Sequence, residues 1–126
     1  LVLLAAGSGS LLLWQTLQRN QGGVAVAEAV RLYNREKGVL IDVCEAEEFA
    51  AGHAAGSRNI PLATLADSKQ LPSNKALPLI LMCQSGARAS RAAGMLSKLG
   101  YEKVLPVAGG LRAWREANLP VEKAGA

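Results

Sequence analysis

The sequence predicts an α/β domain whose central parallel sheet is covered by helices on both faces. Three observations predict it. Short, continuous apolar runs occur at Val39–Val43, Leu79–Met82 and Val104–Val107, as expected of strands buried on both sides. Helix-like segments at Ala27–Arg35, Ala87–Leu99 and Leu111–Ala117 are interleaved with them. Strands and helices therefore alternate, as they do when helices cross over between parallel strands. The 126 residues suit one domain, and no internal repeat divides them. Half the chain is apolar but aromatics are few, so the core is built mainly from Leu, Val, Ile and Ala.

The first segment, Leu1–Gln18, carries no charge. As a helix it would reach about 27 Å, close to the hydrocarbon thickness of a bilayer. It reads as a membrane anchor, with Trp14 at the interface and Arg19 just outside it. A cleaved secretory segment and a helix packed on a partner are the alternatives. Residues 19–23 form a polar, glycine-rich linker, 24–122 the domain and 123–126 a tail. Arg19, Arg31, Arg35 and Lys37 outweigh Glu28 and Glu36, which favours the cytoplasmic side for an anchored domain. A soluble cytoplasmic or periplasmic protein is the alternative.

Within the domain, Ala27–Arg35 sets Ala27, Val30, Leu32 and Tyr33 near one helix face. Val39–Val43 is a strand, and Ala46–Ala51 a short helix with Gly52 at its C-terminal cap. Arg58–Ile60 is a brief strand closed by Pro61. Leu62–Ala66 makes one helical turn, and Asp67–Pro78 is mostly loop. Leu79–Met82 is the central strand. Ala87–Leu99 is the strongest helix, with Ala92, Met95, Leu96 and Leu99 on one side and Gly100 just beyond. Val104–Val107 is a strand, and Leu111–Ala117 the last helix.

The central strand delivers Cys83 into the short loop Gln84-Ser85-Gly86-Ala87, and Arg88 follows in the first turn of a helix. That setting suits a reactive thiolate. Loop N–H groups and the positive end of the helix both favour negative charge there. Gly86 lets the loop turn tightly, and Arg88 adds a fixed cation. The alternative is a buried structural cysteine at a strand end.

The motifs extend beyond the loop. Asp42-Val43, Glu48-Phe49, Gly52-His53 and Gly56-Ser57-Arg58-Asn59-Ile60-Pro61 resemble the first half of a single-domain rhodanese. Cys83-Gln84-Ser85-Gly86-Ala87-Arg88 resembles that family's active-site loop. Val107-Ala108-Gly109-Gly110-Leu111, followed by Trp114, resembles its closing motif. The resemblance implies a rhodanese-like fold and a sulfurtransferase of the thiosulfate type. Cys83 would carry a persulfide, moving sulfane sulfur from a small anionic donor to a thiol or cyanide-type acceptor, a protein thiol included. No metal and no organic cofactor would be required.

In that setting the backbone N–H groups of Gln84, Ser85, Gly86 and Ala87 would bind substrate, and Arg88 would receive the anionic donor or stabilise the persulfide. Asp42 ends a buried strand and belongs to a polar network near the site. Glu48 reads as a surface or helix-capping carboxylate, and His53 occupies a structural position of the motif. Trp114 reads as core, and Gly109-Gly110 as the turn into the last helix. Cys44 is the main departure, because the family usually has arginine after Asp-Val, often paired with an acid. Cys44 is therefore either a small space-filling residue or an accessory thiol within reach of Cys83.

Two other functions compete. A phosphatase or arsenate reductase also cradles its substrate with a Cys-loop-Arg motif, but its loop is one residue longer than the four residues between Cys83 and Arg88. No Asp lies in this loop to protonate a leaving group. A catalytically idle, membrane-tethered binding module is the second, and the retained Cys83 and Arg88 argue against it. The formal charge of +4 is not concentrated in a basic block with interleaved aromatics, so nucleic acid gains no support as a partner. Two cysteines make no disulfide scaffold, and no His/Cys cluster has zinc spacing.

Overall fold

The computed structural model describes residues 23–123. In chain order its elements are α1 (Val26–Arg35), β1 (Val39–Asp42), α2 (Ala46–Ala51), β2 (His53–Ala54) and β3 (Arg58–Asn59). A 3₁₀ turn over Leu62–Asp67 follows, then β4 (Leu79–Met82), α3 (Ala87–Lys98), β5 (Val104–Pro106), α4 (Gly110–Glu116) and β6 (Val121–Glu122).

The apolar runs form the expected parallel sheet, in the order β3-β1-β4-β5. Its residues alternate between two core layers, as a pleated strand requires. Ile41, Leu79 and Leu81 pack with Leu65 of the 3₁₀ turn and with Ala89, Ala92 and Leu96 of α3. Leu40, Ile80 and Met82 pack with Ala29 and Leu32 of α1 and with Leu111 and Trp114 of α4. Both faces are therefore covered, which is why the central strands β1 and β4 are apolar at every position except Asp42. Val24 continues the sheet beyond β5, its N–H donating to Pro106 O at 2.8 Å.

Three details differ from the sequence reading. The buried face of α1 is Ala29 and Leu32, whereas Ala27 and Tyr33 are exposed. Three-residue spacing sets Ala29 and Leu32 on one face of the helix, which meets the sheet at Leu40 and Ile80. Leu99 stands outside the core at the end of α3, and Ala89 takes its place among the buried positions. The antiparallel ribbon of β2 and β6 was not expected, because two-residue strands show no periodicity. Long-range contacts make it: Trp114 Nε1 donates to Pro120 O at 2.8 Å, and Ala55 N–H donates to the same oxygen at 3.0 Å.

No helix among the described residues is long and apolar enough to cross a membrane. The expected anchor, Leu1–Gln18, lies outside the described residues, as do the linker up to Gly22 and residues 124–126.

Candidate active site

Strand order decides where the chemistry collects. β1 and β4 are adjacent and parallel, with Asp42 opposite Met82. Cys44 and Cys83 therefore leave neighbouring strand ends on the same rim, where α/β folds place their sites. Cys83 is buried, and its Sγ accepts the Gly86 N–H at 2.9 Å. Gly86 is the N-terminal cap of α3 and has φ of 109°, a left-handed conformation in which a Cβ is strained. Its carbonyl accepts the Ser90 N–H at 3.0 Å and the Ser90 hydroxyl at 3.1 Å. The loop thus turns back on the sulfur, with the Gly86 N–H and the start of α3 beside it.

The turn into α4 braces this loop from below. Leu111 N–H donates to Cys83 O at 2.7 Å, and Arg112 N–H to Gln84 O at 3.3 Å. Gly110 lies so close beneath the loop that a Cβ there would collide with the Cys83 carbonyl oxygen. The closing glycines and the reactive loop therefore form one unit, although about 25 residues of chain separate them, a span that α3 and β5 fold back on itself.

Arg88 is not the free cation its position suggests. Its Nη1 and Nη2 donate to the two carboxylate oxygens of Glu48, at 2.6 and 2.8 Å. Such a fork is planar, charge-assisted and geometrically exact in its demands. Glu48 also accepts the Glu45 N–H at 3.0 Å, in a capping box at the start of α2. The Arg88 hydrogen bonds, then that N–H, hold the Glu48 carboxyl down at about 2. Its partner raises the Arg88 guanidinium in turn. Both Cys44 and Cys83 lie within electrostatic reach of Arg88. The expected capping role of Glu48 is therefore seen, together with an ion pair that the sequence reading missed. Glu45 and Glu48 at capping-box spacing were a signal for the first. Nothing local signals the second.

Cys44 is completely buried. Its N–H donates to Asp42 Oδ1 at 2.8 Å, and Gln84 Nε2 approaches its Sγ at 3.9 Å. Burial first, then the charge and hydrogen bond of Asp42, push the Cys44 thiol up to about 12. At neutral pH it is a protonated thiol, a poor nucleophile for a resolving role. Asp42 is raised by its own burial, which outweighs its hydrogen bonds from Cys44. Asn59 Nδ2 ties the strand ends together by donating to Asp42 O at 3.2 Å and Cys44 O at 2.9 Å. The polar network expected at Asp42 is thus present, and through Cys44 it touches the first residue of the loop.

His53 stacks on Phe49, with ring centroids 3.7 Å apart, and its Nδ1–H donates to Phe49 O at 2.7 Å. It fastens α2 to the β2–β6 ribbon. A groove of about 380 Å³ between α1 and α4, lined by Val30, Tyr33, Trp114 and Leu119 among others, contains no residue of the Cys83 loop. Among the described residues no cluster of His, Cys, Asp and Glu could hold a metal ion.

Comparison with known proteins identifies the family. The model of the rhodanese-like domain matches residues 25–117, most of the chain. The chain belongs to the rhodanese-like family. A Synechocystis relative, named uncharacterized protein slr1261, is 36% identical over 93 residues, which is 74% of this chain and 51% of that one. The chain thus spans about half the length of that relative. Thiosulfate sulfurtransferase GlpE of Pseudomonas putida is 34% identical, with 77% of this chain and 86% of that one covered. Among solved structures, the human single-domain sulfurtransferase TSTD1 superposes with a TM-score of 0.68 at 29% identity, covering 75% of this chain and 96% of that one.

Proposed function

We propose that this rhodanese-like domain is a sulfurtransferase that carries sulfane sulfur as a persulfide on Cys83. The observation that carries this reading is the 2.9 Å hydrogen bond from Gly86 N–H to Cys83 Sγ, at the N-terminus of α3. Donors fixed before reaction stabilise a sulfur anion without reorganisation. The Cys83 thiolate attacks the outer sulfur of a donor such as thiosulfate. A bond forms between Sγ and that sulfur, the donor's S–S bond breaks, and its electron pair leaves on sulfite. A cyanide or thiol acceptor then takes the outer sulfur and restores the thiolate. The names of the Pseudomonas and human relatives support sulfur transfer. A phosphatase is disfavoured by the short loop and by the engagement of Arg88 with Glu48.

Intact mass measurement tests the reading. Treatment with thiosulfate adds the mass of one sulfur atom, and cyanide removes it. Added mass that persists in Cys83→Ser places the sulfur elsewhere and rejects the assignment.

The uncharged segment Leu1–Gln18 supports a second part of this reading: a membrane anchor tethering a cytoplasmic domain. The full chain then sediments with membranes, while a chain starting near Gly22 stays soluble and active. Recovery of both in the soluble fraction rejects the anchor.

A further inference from the structure

We propose that Glu48 selects the sulfur donor by charge: its carboxylate occupies the Arg88 guanidinium beside the Cys83 loop, favouring donors whose sulfur end is neutral or singly charged over dianions such as thiosulfate. The inference rests on the sulfur-transfer reading and adds the donor class.

The argument begins with the fork. Both carboxylate oxygens of Glu48 are engaged by Arg88, at 2.6 and 2.8 Å, so the two charges cancel at short range. The pair is fixed from the acid's side as well, because Glu48 Oε1 is also bound by the Glu45 N–H at 3.0 Å. Swinging Arg88 onto a donor would break two charge-assisted hydrogen bonds. No protonation loosens the pair near neutral pH, since the Glu48 carboxyl is held at about 2.

Besides Arg88, the arginine next along α3 is Arg91, one turn on, and it is exposed to solvent, where its charge is screened. Asp42 is a buried carboxyl and Cys44 a neutral thiol. Arg112 reaches the loop through its backbone N–H, while its side chain is exposed to solvent, where charge is screened. What remains for an incoming anion is the partial positive charge of the Gly86 N–H and of the α3 N-terminus. That matches a single negative sulfur. Thiosulfate brings two charges towards a thiolate, with Glu48 close by.

A low-molecular-weight thiol persulfide, R–S–SH, fits this balance. The Cys83 thiolate attacks its outer sulfur, the donor's S–S bond breaks, and the electron pair leaves as RS⁻. The product is Cys83–S–SH, and the exchange needs no external oxidant or reductant.

The test compares thiosulfate with the persulfide of 2-mercaptoethanol, whose organic part is uncharged. Glu48→Gln removes the charge but keeps a side-chain oxygen for the Glu45 N–H, as capping boxes accept either residue. The ratio of kcat/KM for thiosulfate to that for the persulfide should rise about tenfold, mainly through a lower KM for thiosulfate. Glu48→Asp, which keeps the charge but shortens the reach to Arg88, should raise the ratio less than Glu48→Gln does. A ratio unchanged or lowered in Glu48→Gln overturns the proposal, because a purely structural defect slows both donors alike. One measurement needs no variant. The wild-type KM for thiosulfate should change less than about twofold when salt is raised to 0.5 M, since a neutralised site has little field to screen. A several-fold rise marks a free cation and also overturns it. A wild type that takes sulfur onto Cys83 from neither donor rejects the sulfur-transfer reading itself, whereas sulfur uptake with an unmoved ratio rejects only the role of Glu48.

Discussion

Cys83→Ser is expected to lower kcat/KM for sulfur transfer by a factor on the order of 10³ or more while shifting Tm by only a few degrees. The two consequences have different origins. Sulfur transfer needs a soft, ionised nucleophile, and a serine hydroxyl stays protonated at any pH the fold tolerates. The fold, by contrast, asks of this position only a small side chain that can accept the Gly86 N–H. A serine oxygen does that at a site where the sulfur now sits 2.9 Å from that nitrogen. No buried N–H is left without a partner, so the usual penalty for burying an unpaired polar group does not arise. Release of sulfite from thiosulfate, measured beside calorimetric Tm, separates the effects. Turnover above a tenth of the wild type would show that Cys83 is not the nucleophile. A collapse of Tm would show that its burial matters more than its chemistry.

What could be read from the sequence is what the chain encodes locally. The strand–Cys–loop–Arg run is continuous, so position 83 stood out as the candidate nucleophile, and the structure places it just after β4, in the loop that leads to α3. Trp114 was legible as core because it follows the apolar closing motif into the last helix of an aromatic-poor domain. It is buried, and its one polar atom is satisfied by Pro120 O. Glu48 and Arg88 are different. They lie on separate helices, 40 residues apart, and meet only because β1 and β4 are neighbours in the sheet. No periodicity records that. The same is true of Gln84 and Cys44, which also meet across 40 residues. The sequence left position 44 open between a space-filling residue and an accessory thiol, because residue type alone does not carry burial. Full burial beside a carboxylate is what keeps it protonated.

Gly110→Ala should cost about 2 kcal/mol of stability, roughly 10 °C in Tm, and should reduce activity further than that loss of folded protein explains. Gly110 has φ of 54°, a conformation that L residues adopt at a cost. The larger part is steric. A Cβ at position 110 meets the backbone carbonyl of Cys83, and backbone cannot step aside as a side chain can. That carbonyl also accepts the Leu111 N–H at 2.7 Å, so relief of the clash pulls on the hydrogen bond that braces the loop. The thiolate would lose its alignment with Gly86 N–H, which ties the loss of stability to a loss of catalysis. Gly109→Ala is the control. Its φ of 77° carries similar backbone strain, but its Cβ would press on the Ala113 methyl, within α4 and away from the loop. Gly110→Ala should therefore lose more Tm than Gly109→Ala, and only Gly110→Ala should slow sulfur uptake by Cys83 in protein that remains folded. Equal activity per folded molecule in both would show that the closing glycines merely turn the chain. A deficit confined to Gly110→Ala means that the floor beneath Cys83 is part of how the persulfide is held.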